Sequence, residues 1–150
     1  MSSNLLKVAM AQIASVWLNK EQIIQKIENS TKQAAREDAE LVVFGEALLP
    51  GYPFWIALTN GAECNSSIQK ELHAHYVQNS ITIENGELNS ICNLAKKHKI
   101  AVYLGIMERA ANRGGHSIYT SLVYIDPKGK IKSVNRKLQP TYDERLTWAL

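Results

Sequence analysis

Three short apolar runs, at 5–13, 41–44 and 100–106, are separated by long stretches whose apolar residues recur at helical spacing. No other feature limits the fold of this chain as strongly. The run Leu41-Val42-Val43-Phe44 is apolar on both sides of the pleat, the pattern of a strand covered on both faces. Such strands belong to sheets with helical crossovers, because a parallel neighbour is reached only through a connection of a dozen or more residues. Between the first two runs, Asn19 followed by Gln22 suits a helix start. Ile23, Ile27, Ala34 and Ala35 then keep one helical face apolar. After a loop punctuated by Gly and Pro, Ile68, Leu72 and Tyr76 recur at helical spacing. Leu88, Ile91, Cys92 and Ala95 follow the i, i+3, i+4, i+7 pattern. The expectation is an α/β fold with an at least partly parallel sheet.

The last third reads differently. Segments 117–125 and 130–135 have strand character and are joined by Asp126-Pro127-Lys128-Gly129. Pro suits the second position of a type I turn and Gly the fourth, so these strands form a hairpin. With 150 residues, 45% hydrophobic and 21% charged, the chain has the size and composition of one globular domain or part of one. It shows no internal repeat, low-complexity tract or linker.

Several function classes are disfavoured. The net charge of +3 is mild and its basic residues are dispersed. The densest run, Lys96-Lys97-His98-Lys99, closes a helix, where cations favour the negative end of the dipole. No aromatic–basic interleaving accompanies it, so no nucleic-acid partner is expected. Cys64 and Cys92 make no disulfide framework and no zinc motif. His73 and His75 lie two apart on a helix and point to different faces, a poor metal pair. His98 at a helix end and His116 beside Gly114-Gly115 read as surface or capping residues. No metal and no cofactor are expected. Residues 1–14 lack a signal-peptide core, and no run approaches the ~18 apolar residues of a membrane span. A cytoplasmic setting is the default expectation.

Two segments carry candidate chemistry. Glu46 follows the second apolar run, and in open α/β sheets ligands bind beyond the carboxyl ends of strands. The adjoining Pro50-Gly51-Tyr52-Pro53 is a rigid, specifically shaped loop. By itself this makes Glu46 a candidate, against the alternative of a solvated loop carboxylate. Lys137, just past the hairpin, reads either as a snorkelling surface lysine or as a partly buried ammonium that stabilises negative charge. The second role needs a carboxylate partner to keep it charged. Glu144, seven residues on and past Pro140, could fold back to supply one.

The motifs around these residues are long. Gly45-Glu46-Ala47 with Gly51-Tyr52-Pro53, and Arg136-Lys137-Leu138 with Pro140-Thr141 and Glu144-Arg145-Leu146-Thr147-Trp148, resemble the first two signatures of the nitrilase branch of the carbon–nitrogen hydrolases. The match runs in order along essentially the whole chain, from Ala11-Gln12 onward. The resemblance implies part of a four-layer α-β-β-α sandwich, with residues 1–150 as the N-terminal portion of a single domain. It implies Glu46 as the general base, Lys137 as the cation stabilising charge on the former nitrile nitrogen, and Glu144 as a second carboxylate positioning Lys137 and substrate. Tyr52 and Trp148 match pocket-lining positions. The implied reaction converts a nitrile to a carboxylic acid and ammonia through a cysteine thioimidate, in a homo-oligomer. An amidase of the same superfamily is an alternative.

The family's nucleophilic cysteine lies beyond the lysine signature, after the last residue here. Cys64 lacks the strand context of that nucleophile, and Cys92 lies on an apolar helix face as a small core hydrophobe. Residues 1–150 alone are therefore expected to be inactive, prone to association, and loose around Trp148 and Leu150. The apolar ending favours a piece of an active nitrilase over a finished, non-catalytic small-molecule-binding or subunit-pairing protein.

Overall fold

The apolar runs become strands of one five-stranded sheet in the computed structural model, which describes residues 5–112 and 114–150. β1 (Val8–Ala11), β2 (Leu41–Phe44) and β3 (Ala101–Arg109) are parallel; β4 (Ile118–Ile125) and β5 (Ile131–Arg136) follow antiparallel, and spatial order equals chain order. Residues 5–13 were expected to form a longer first strand. β1 is four residues because β2 offers it four partners, and Leu5 and Leu6 stay exposed.

α1 (Lys20–Arg36) starts where the sequence indicated, with the Asn19 carboxamide oxygen accepting from the Gln22 N–H at 3.0 Å. α2 (Trp55–Leu58), α3 (Ser67–Asn79) and α4 (Asn89–His98) follow. Ile23 and Ile27 of α1 and Ile91 and Ala95 of α4 are fully buried. They form one core with Val42, Phe44, Val102, Leu104, Val123 and Ile125 from one face of the sheet. Lys96, Lys97 and His98 occupy the last turn of α4, which closes on Lys99 in the left-handed conformation.

α3 follows its sequence pattern at Leu72 and Tyr76 and departs from it at Ile68. Ile68 is 46% exposed, while Tyr76 is fully buried beside Val77 and Leu72 packs against them. Its first turn is tied by a polar contact: the Gln69 side-chain amide donates to the Thr59 carbonyl and hydroxyl, both at 2.7 Å. Tyr76 and Val77 belong to a second cluster with Ala47, Trp55, Ile56, Met107, Ile118 and Trp148.

The hairpin turns as expected. The Asp126 carboxylate accepts from the Lys128 and Lys130 amides at 2.9 and 2.8 Å, and the Gly129 N–H donates to the Asp126 carbonyl. Gly129 has φ +75°, and a Cβ there would lie 2.4 Å from the Cys92 carbonyl oxygen of α4.

Because β5 runs parallel to β2 and β3, its C-terminal end and that of β2 lie at the same end of the sheet. That arrangement places the site. After β2 the chain swells outward over Gly105 of β3, where a Cβ would lie 2.2 Å from the Gly45 carbonyl and 2.7 Å from Glu46 Cα. The chain then rejoins β3 through bridges at Leu49–Ile106 and Ile81–Glu108. The sheet face opposite α1 and α4 carries Val8, Met10, Leu41, Val43, Tyr103, Leu122 and Tyr124, all half-buried or exposed.

Candidate active site

Lys137 lies one residue beyond β5, its amide still donating to the Thr120 carbonyl of β4 at 2.9 Å. Its ammonium sits between two carboxylates, 3.1 Å from Glu46 Oε1 and 3.0 Å from Glu144 Oε2. Three residues that are 91 and 7 positions apart in sequence thus meet at one point. The side chains of Lys137 and Glu144 are 27% and 6% exposed, whereas Glu46 is 53% exposed. One carboxylate is therefore built in and the other faces solvent.

Glu144 belongs to the 3-10 turn Tyr142–Leu146, which Thr141 caps. Glu144 Oε2 accepts from the Thr141 amide at 2.6 Å and the Thr141 hydroxyl at 3.0 Å; Oε1 accepts from the Tyr52 hydroxyl at 3.3 Å. Burial pushes the Glu144 carboxyl up. The Thr141 amide, Lys137 and the Thr141 hydroxyl outweigh it and leave the group below the ordinary carboxylate range. Lys137 is balanced the same way: desolvation pulls it down, and hydrogen bonds to Glu144 and Glu46 carry it above an ordinary lysine. Burial, and then Glu144, raises the Tyr52 phenol. The chemical reading is direct. Lys137 is held as an ammonium, Glu144 is a saturated acceptor held as an anion, and Glu46 is the carboxylate that faces solvent.

Aromatic residues hold this arrangement. The Trp148 ring centroid is 5.3 Å from Lys137 Nζ and 5.7 Å from the Tyr52 ring, which it meets edge-on. Trp148 is 3% exposed and its indole N–H donates to the Tyr76 hydroxyl at 3.4 Å. It packs behind Lys137 and Tyr52, in the second core cluster. Tyr52 lies nearer the opening, its ring tilted against Phe54 with centroids 5.1 Å apart and its carbonyl accepting from the Trp17 indole at 3.0 Å. Two clefts of about 450 Å³ each open at Glu46. One includes Gly105, Thr120, Leu122 and Lys137, the other Trp17, Tyr52 and Phe54.

The carbon–nitrogen hydrolase family model matches residues 7–149. The chain belongs to the carbon–nitrogen hydrolase family. It is 37% identical over 145 residues to an arylacetonitrilase of Arthroderma benhamiae, covering 97% of this chain and 40% of that protein. It is 36% identical over 143 residues to a nitrilase of Meyerozyma guilliermondii, covering 95% and 42%. The chain thus spans about two-fifths of the length of these curated relatives. Among solved structures, an amidase from Nesterenkonia sp. superposes with TM-score 0.66 at 16% identity, over 96% of this chain and 47% of that one. At that identity the likeness concerns the fold.

Neither cysteine of this carbon–nitrogen hydrolase chain lines the clefts at Glu46: Cys64 is exposed in a loop, and Cys92 packs against the core from α4. Among the described residues no cluster of three or more metal-binding side chains occurs, and no helix is long and apolar enough to cross a membrane. His73 is half-buried, with Nδ1 3.0 Å from the Thr147 hydroxyl. Burial, then the nearby His116, lowers its pKa. Sequence reasoning missed Thr141, although Thr141-x-x-Glu144 has the spacing of a capping box. It also missed Glu108, which sits inside an otherwise apolar strand and binds Arg136.

Proposed function

We propose that this chain supplies the base, the cation and the anchoring carboxylate of an enzyme that hydrolyses nitriles, with arylacetonitriles as the substrate class. The single observation that carries the reading is the Lys137 ammonium held within 3.1 Å of both Glu46 and Glu144. The names of the relatives at 36–37% identity support nitriles over amides.

A nitrile carbon is a weak electrophile and needs a thiolate together with a cation near its nitrogen. The thiol belongs to chain beyond residues 1–150, since Cys64 and Cys92 lie away from the clefts at Glu46. Glu46 takes the thiol proton as sulfur adds to the nitrile carbon. Lys137 opposes the negative charge that develops on nitrogen and then on the tetrahedral adduct of the thioimidate with water. Glu46 passes the thiol proton to the nitrogen. The two protons of the first water follow through Glu46 as the C–N bond breaks, so ammonia departs and a thioester remains. A second water, deprotonated by Glu46, then displaces the sulfur to give the carboxylic acid, and Glu46 returns that proton to the thiolate. Two waters are consumed and one ammonia leaves. Glu144 stays ionised throughout and fixes Lys137.

In the full-length polypeptide, ammonia release from phenylacetonitrile and from phenylacetamide decides the reading. Turnover of the nitrile to the acid is expected. Glu46→Gln keeps the shape of the base without its proton affinity and should abolish turnover. Lys137→Ala should cost on the order of 3 kcal/mol in transition-state stabilisation, as removal of one electrostatic stabiliser commonly does. Turnover of the amide alone assigns the chain to an amidase; near-normal turnover in either variant removes the proposed roles.

A further inference from the structure

We propose that Arg136 is a positioning residue for Lys137, acting from the opposite face of the sheet through Glu108. This rests on the reading of Lys137 as the reaction's cation. Consecutive residues of a strand point to opposite faces, so Lys137 reaches Glu46 on one side while Arg136 reaches back on the other. There the guanidinium grips Glu108 of β3 with two bonds, Nε to Oε2 at 2.9 Å and Nη2 to Oε1 at 2.6 Å. The Ser121 hydroxyl of β4 donates to the same carboxylate at 2.7 Å, and the guanidinium lies 4.1 Å over the Tyr119 ring. Glu108 is 4% exposed. Burial pushes its carboxyl up, and the bonds from Arg136 and Ser121 bring it below the ordinary range.

The need for such a clamp follows from position. Lys137 lies one residue past β5, held on β4 by the bond of its amide to the Thr120 carbonyl, and its ammonium sits at the end of a flexible four-carbon stem. Arg136 skips one strand and ties the end of β5 to β3, the strand over which the Glu46 loop is seated. The fork therefore sets the distance between the Lys137 backbone and Glu46. An error of about 1 Å in such a distance costs on the order of a hundredfold in rate.

The test uses the full-length polypeptide, with kcat and KM measured per folded molecule beside the melting temperature. Arg136→Lys keeps the charge and loses the two-bonded fork. It should lower kcat at least tenfold while KM moves less than twofold. Glu108→Gln should do the same, and the double variant should be no slower than the worse single one, since both break one contact. If Arg136→Lys does not fold, Glu108→Gln and Ser121→Ala carry the test alone. A lower melting temperature with wild-type kcat in the folded fraction overturns the proposal. Lys137→Ala separates the two levels. An inactive Lys137→Ala beside a fully active Arg136→Lys refutes positioning alone; an active Lys137→Ala refutes the reading beneath it.

Discussion

Glu144 illustrates how a residue's neighbours set its chemistry. A carboxylate that is 6% exposed is costly unless its lone pairs are filled, and here Thr141, Lys137 and Tyr52 fill them. Two expected outcomes belong at this scale. Thr141→Ala removes one donor to Glu144 and the cap of its turn, and should lower stability by about 1 kcal/mol in urea titration. The second outcome concerns pH. The folded pKa of Glu144 and of Glu108 lies below the ordinary value of 4.5. The unfolded chain therefore binds protons first on acidification. The stabilisation is complete above that value and is lost as pH falls through the folded values. Glu144→Gln should flatten the acid limb of stability against pH; an unchanged limb would show that Glu144 is not the group responsible. The sequence already held Glu46, Lys137 and Glu144, because the motifs around them are distinctive. It did not show which carboxylate would be buried, since that depends on the Thr141 turn and the Tyr52 loop meeting across 92 positions.

A close approach of backbone delivers Glu46. The Glu46 swelling lies directly on Gly105, so Gly105→Ala must displace the loop or bend β3. Overpacking of this kind typically costs about 1–3 kcal/mol. With Glu46 as the proposed base, turnover of the full-length polypeptide should fall further than stability does; a variant with normal turnover and a lowered melting point would argue against that coupling. The α1 start, the α4 face and the hairpin were legible in sequence because caps, apolar periodicity and turn residues act over short range. The α3 face was legible only in part. Ile68 obeys helical spacing yet stays exposed, because Gln69 and Thr59 secure that end of the helix with hydrogen bonds. The 3-10 turn Tyr142–Leu146 was likewise unexpected, although its Thr-x-x-Glu spacing is a local signal.

At the scale of the molecule, the sheet is covered by α1 and α4 on one side and presents Val8 at 44%, Met10 at 87% and Leu122 at 38% exposure on the other. Exposed apolar surface of that extent drives association. A polypeptide of residues 1–150 on its own should therefore bind a hydrophobic dye and elute as aggregates or oligomers. Met10→Lys with Leu122→Lys should reduce both. A dye-silent monomer with a sharp melt would mean that this face is self-sufficient. The sequence by itself determined the strand–helix alternation, an at least partly parallel sheet and the identity of the three charged residues. These follow from local periodicity and short motifs. Only the tertiary structure decided that Trp148 lies behind Lys137, that Glu46 remains open while Glu144 is sealed, and that Arg136 is bound across two strands. Each of these depends on contacts between residues far apart in the chain, and no local pattern of apolar or polar residues encodes the distances at which such residues come to rest.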